Sequence, residues 1–296
     1  MFWRIVLLTC FCLPTVDVLH AEIPDWWKVV HQYNEDKDWH EYYTYTTSYF
    51  GPNAFPVPEI QDGRIPEKHN AEISSDIFWG YGDQTQSMSA RLNYTFIPGR
   101  LAICGWGVLA EHYKTTMEVR DLRASMEKDG EQTLYISDLC ISTLMRIVPE
   151  KKYTPDVVLE IALKTASSQS PRTARYLDSP GYFFDLTVGK SLYFKKSVIN
   201  ELRFVGMLGF LSYQLNDSKQ NDAPLFGGKM ILSSDKLSFE NGLAGYSGWL
   251  KKGDQPLVLR SRLNFKSGSQ HYFIQYQHAL RDYPFRRLQV GVNFDL

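Results

Sequence analysis

Leu288-Gln289-Val290-Gly291-Val292-Asn293-Phe294-Asp295-Leu296 alternates strictly: apolar at 288, 290, 292, 294 and 296, small or polar between them. Successive side chains of a strand point to opposite faces, so this stretch is one strand with an apolar and a polar face. The pattern recurs upstream. Arg260, Arg262, Asn264 and Lys266 alternate with Leu259, Ser261, Leu263 and Phe265, and Val157, Leu159, Ile161 and Leu163 alternate with Asp156, Glu160 and Lys164. The 32 basic and 33 acidic residues leave a net charge of -1, which excludes the basic excess of a nucleic-acid binder. With 44% hydrophobic and 14% aromatic residues the chain is no disordered polymer either.

Counted back from Leu296, twelve such segments emerge: 285–296, 271–281, 256–267, 240–251, 226–235, 200–214, 181–195, 155–168, 131–147, 101–113, 86–98 and 71–82. Short links (Pro98 to Arg100, Pro149 to Pro155, Lys195 to Asn200, Ser234 to Ser238, Ser267 to Gln270) alternate with longer polar ones at 114–130, 168–180 and 215–225. In a soluble sandwich or lipocalin-like barrel the same alternation would bury a core. The segments, at about 10–14 residues, exceed the usual 5–6 of soluble strands, which favours strands crossing a membrane.

In these features residues 71–296 resemble a Gram-negative outer-membrane β-barrel: alternating last strand, even strand count, loop asymmetry, and aromatics near strand ends (Trp79, Tyr81, Tyr94, Phe96, Tyr193, Phe194, Trp249, Tyr283). The expected fold is all-β, a single transmembrane antiparallel barrel of about twelve strands in the outer membrane. Many such proteins end on an aromatic residue, whereas this chain ends on Leu296. Residues 1–21 read as a signal peptide, with Arg4, the apolar run Ile5 to Leu13, and Leu19-His20-Ala21 as the cleavage region.

Residues 22–70 fall outside the strand count. They hold Trp26, Trp27, Trp39, Tyr42, Tyr43, Tyr45, Tyr49 and Phe50, followed by prolines at 52, 56, 58 and 66. That proline density dictates an extended segment, either periplasmic or folded into the barrel as a plug. The alternative is an ordinary strand at 40–50. The loop at 114–130 carries Met117, Leu122 and Met126 at roughly helical spacing, the pattern of a short amphipathic helix.

If apolar faces meet lipid, the opposite faces line the lumen with Glu72, Asp76, Arg91, Asp138, Arg146, Glu160, Lys164, Asp185, Glu201, Arg203, Lys229, Glu240, Arg260, Arg262, Lys266 and Asp295. Mutual pairing of these charges would close the lumen, whereas separated clusters would line a selective water-filled path. The leading expectation is a narrow solute-passage channel. The runner-up is a closed structural or assembly barrel that binds a partner through its N-terminal segment or loops, and the third is a lipid hydrolase. Cys104 and Cys140 flank one long loop whose midpoint is 122, so they are a candidate cross-strand pair for a disulfide.

No catalytic pattern emerges. Barrel phospholipases carry a His two residues before the nucleophilic Ser, and none of the seven histidines has Ser at that spacing. Gly245-Tyr246-Ser247-Gly248-Trp249 lacks the last glycine of a nucleophile elbow, and Gly227-Gly228-Lys229 lacks P-loop spacing. Asp36, Asp38, His40 and Glu41 match neither a zinc nor a calcium motif. No cofactor is expected. The expected surroundings are outer-membrane lipid and periplasmic or outer-membrane proteins, without nucleic acid.

Overall fold

A computed structural model describes residues 22–135, 137–168, 171–177, 179–195, 197–215 and 222–296. The expected signal peptide lies outside the described residues. Thirteen strands run β1 (Asn70–Gly80), β2 (Asp83–Ile97), β3 (Leu101–Thr115), β4 (Glu131–Tyr135), β5 (Cys140–Val148), β6 (Asp156–Lys164), β7 (Gly181–Tyr193), β8 (Glu201–Tyr213), β9 (Ala223–Ser233), β10 (Leu237–Tyr246), β11 (Leu257–Ser267), β12 (Gln270–Arg281) and β13 (Arg286–Asp295). β4 and β5 share one position, pairing with the upper and lower parts of β3, so the thirteen strands make a twelve-position wall. Each strand pairs antiparallel with its neighbour, and β1–β13 and β2–β3 pairing closes the ring; among the described residues the short strand β4 has a single partner, β3. Closure satisfies the backbone ladders of the strands that make the continuous ring, the condition for spanning hydrocarbon with sheet.

Burial is inverted relative to a soluble protein. Ile73, Ile77, Leu92, Phe184, Leu186, Leu208, Leu263, Ile274 and Val290 are large, apolar and exposed on the outer wall. Asp76, Glu111, Glu160, Asp185, Arg203 and Gln275 are buried on the inner one. This arrangement suits a wall whose outside is lipid. Tyr94, Phe96, Tyr193 and Phe194 are exposed near the short-turn end, and Tyr81 and Trp249 near the opposite end. Tyr283 is not on that outer belt: it is buried, and its hydroxyl donates to the Pro52 carbonyl at 3.0 Å. It sits on a link that folds over the lumen and packs edge-on against Phe285.

Two strand boundaries depart from the sequence reading. The segment expected at 240–251 ends at Tyr246, because buried Asp254 gathers the amides of Leu250 (2.7 Å) and Lys252 (3.2 Å) and turns the chain into a loop. The segment expected at 131–147 breaks before Cys140, where the Ser137 hydroxyl takes the Val108 amide at 2.8 Å and Asp138 takes the Ser167 and Ser168 amides. The β3–β4 register already lies one residue off a hairpin centred on 122, and this break adds a second. Cys104 therefore faces Ser142 and Cys140 faces Trp106, and both cysteines are free thiols rather than opposed partners. The helix expected in the 114–130 loop is α2 (Met117–Leu122); Thr116 caps it by accepting the Val119 amide.

Candidate functional site: the occupied lumen

The chain enters β1 at the short-turn end, beside Asp295, yet residues 25–55 lie at the other end, among the long loops. Short turns mark the periplasmic end of such barrels and long loops the extracellular one. The N-terminal segment therefore runs down the whole lumen, from outer mouth to periplasmic rim.

At the outer mouth it forms an aromatic cap. Residues 40–50 form no strand; α1 (Asp25–His31) and a 3-10 turn at Trp39–Tyr42 precede an irregular coil. Trp27 of α1 is fully buried, and its indole N–H donates to the Ala124 carbonyl at 2.7 Å. Tyr43 donates to the Arg172 carbonyl at 2.7 Å, and the Gly51 amide to the Ala174 carbonyl at 2.8 Å. Phe50 meets Phe55 edge-on at 5.4 Å, and Phe55 meets wall residue Tyr213 at 5.1 Å. These contacts join the segment, two loops and β8 in one apolar cluster.

Beneath the loops lies a charged lock. Arg175, 1% exposed, donates to Glu111 at 2.8 and 2.9 Å and also reaches Asp83, which pairs with Arg123 as well. Glu111 further accepts from Tyr176 (2.9 Å) and from Asn53 of the segment (2.6 Å). Two carboxylates face two guanidiniums with their hydrogen-bonding capacity largely used, the condition for tolerating buried charge. Sequence reasoning missed Arg175 and placed Arg123 in a solvated loop; no spacing marks either.

Below Phe55 the segment becomes a polar strap. Arg260 donates to the carbonyls of Pro58 (2.9 Å) and Val57 (2.6 Å), and Glu59 lies 3.5 Å from Arg91 and 3.9 Å from Arg287. Gln61 donates to Glu160 at 2.8 Å, and Asp62 pairs with Lys229. Arg64 donates to Glu201 (2.6 Å) and Ser191 (2.8 Å). Buried Arg203 holds the strap backbone through Asp62 and Gly63 carbonyls while pairing with Glu150 (2.7 Å) and Asp156 (3.2 Å). Gly63 has φ +67°, and a Cβ on neighbouring Gly189 would come within 2.3 Å of Arg203, so both glycines let the strap lie against the wall. Burial works against charge on Glu150, in the 149–155 turn, but the Ser191 amide and Arg203 outweigh it and hold its carboxyl below the ordinary range.

The strap divides the remaining space into an upper chamber of about 170 Å³ and a lower one of about 240 Å³, and Glu59, Gln61, Glu72, Arg91 and Arg260 line both. The residues read from the sequence as facing inward are distributed among these contacts. Arg91, Glu160, Glu201, Arg203, Lys229 and Arg260 touch the strap. Asp76 pairs with Arg287, Glu72 with Arg262, Glu240 with Lys229, Arg146 with Asp156 and Lys164 with Asp138. Asp185 stands opposite Glu160 in register, and Asp295 pairs with Lys68 at the rim. Lys266 differs: it is exposed near the last short turn. His112 meets Thr133 and Glu131 and His278 meets Tyr276, so neither is set against a serine among the described contacts.

No family model and no curated protein matches the chain in sequence. Its fold is similar to an outer membrane channel from Pseudomonas putida F1 (TM-score 0.53, 10% identity, 82% of this chain and 97% of that one). It is also similar to the NanC porin (TM-score 0.51, 8% identity, 76% of this chain and all of that one). With its closed wall, lipid-facing apolar belt and loop asymmetry, the chain has the fold of the outer-membrane β-barrels.

Proposed function

We propose that this protein is a solute channel held shut at rest by its own N-terminal segment. One observation carries the reading: two chambers meet at the level of the strap, where both are lined by Glu59, Glu72, Arg91 and Arg260. Ionic contacts at Glu59, Asp62 and Arg64 can be exchanged for water or solute ions, so the paired charges that fill the lumen can also be released. In planar bilayers the native protein is expected to stay mostly closed. A variant with Glu59, Asp62 and Arg64 changed to alanine is expected to show discrete conductance steps. Silence from the variant, with insertion confirmed independently, would overturn the reading.

A second reading is a closed barrel that presents its cap to an extracellular partner. It is favoured by Val29 and Val30, an exposed apolar pair on α1 at the outer mouth. Silent bilayers would leave it ahead.

A further inference from the structure

Four arginines, Arg91, Arg260, Arg262 and Arg287, face the level where the two chambers meet, and they divide into two kinds. Arg287 and Arg262 have carboxylates of the wall itself, Asp76 at 2.7 Å and Glu72 at 3.0 Å. Arg91 and Arg260 are served by the strap. The carboxylate nearest Arg91 is Glu59, and Arg260 spends two N–H groups on the Val57 and Pro58 carbonyls. The Glu59 contacts, 3.5 Å to Arg91 and 3.9 Å to Arg287, are far longer than those wall pairs and than the 2.7–2.9 Å typical of a charge-assisted hydrogen bond. The strap carboxylate thus occupies the cage without fitting it closely.

Both arginines are also positioned without the strap. Arg91 lies over the Trp106 ring at 4.9 Å, and Arg260 donates through Nε to Gln277 at 2.8 Å. Removing Glu59 leaves the Arg91 guanidinium without its contacting carboxylate, beside Arg260, which has no carboxylate within salt-bridge distance among the described residues, in a confined space suited to a planar anion.

We infer that Arg91, with Arg260 and Arg287 lending charge beside it, is the centre of a binding site for the carboxylate of an anionic solute, and that Glu59, which reaches Arg91 and Arg287, is its tethered substitute. The inference rests on the channel reading for its purpose, but binding itself needs no conduction.

Glu59→Ala deletes the equivalent of one acetate, so acetate is the probe. At constant ionic strength, with chloride as the control salt, acetate should raise the unfolding midpoint of Glu59→Ala saturably and restore most of its loss. It should do nothing comparable to the native chain or to Glu59→Ala with Arg260→Gln. Equal responses to acetate and chloride would overturn the site. Should Glu59→Ala not fold, Glu59→Gln keeps the shape, and acetate should raise its unfolding midpoint saturably where chloride does not, an effect lost in Glu59→Gln with Arg91→Gln. Equal responses of Glu59→Gln to the two salts would overturn the site as well. Acetate rescue with silent bilayers would leave the site standing and remove the channel reading alone.

Discussion

The N-terminal segment is held in two different ways along its length. Above Val57 it is held by aromatic packing: Trp27, Phe50 and Phe55 are all but fully buried. Below Val57 charge predominates, through Glu59, Asp62 and Arg64, with Ile60 and Ile65 as single apolar anchors between them. Apolar packing has no alternative partner in water, so losing it costs the full burial, about 1.5–3 kcal/mol per large side chain. A charge pair facing a wet chamber can be replaced by ions and water, and its net worth is small. The segment is therefore fixed at the outer mouth and exchangeable in the lumen, which puts the movable part of the barrier at the strap.

The largest expected effect tests the mouth. Arg175→Ala leaves Asp83 and Glu111 buried without their shared cation and should destabilise by about 3–5 kcal/mol, seen as a lower unfolding midpoint in detergent. A small loss would mean that water reaches the lock and that the mouth is looser than its packing shows. Next, Phe55→Ala should cost about 3 kcal/mol and expose the cap to externally added protease. Asp62→Asn should cost only about 0–1 kcal/mol yet raise conductance, separating stability from closure. If the two change together, the division between mouth and strap fails.

Acid should act on the lower strap. Because Glu150 is held below its ordinary range, its ionised form stabilises the fold at pH values above that range. The contribution is lost as pH falls through the range and below it. Conductance recorded on the periplasmic side should rise over that interval, and Glu150→Gln should flatten the response. Smallest of all, Lys266→Gln, at an exposed rim position, should change stability by less than about 0.5 kcal/mol.

The wall was legible because its signal is local: a strand that faces lipid on one side and polar contents on the other must alternate at every step, as 288–296 does. The course of the strap was only half legible. Its prolines dictate an extended chain, but which way that chain runs depends on loops 116–130 and 171–177 folding over the mouth to receive it. Arg175 and Tyr283 illustrate the limit. Arg175 lies in a link that reads as solvent-facing and Tyr283 near a strand end that reads as part of the outer girdle, and each is buried because its link bends inward, onto Glu111 and Asp83 in one case and onto Pro52 in the other. Half of the cysteine offset has a like origin: a break at Asp138, set by Lys164 on the adjoining strand and by the loop amides that follow it, moves the register without leaving a mark in the alternation.

Threading also turns the cap into a stop. A ring of strands joined through β1 and β13 encircles a chain whose outer end carries Trp26, Trp27 and Trp39 folded against the loops. Once folded there, the aromatic cap is wider than the chain that runs below it and sits above a lumen already crowded with side chains. The protein is built like a bead tied on a cord inside a hoop: while the bead holds, the cord can slacken in the middle without slipping out.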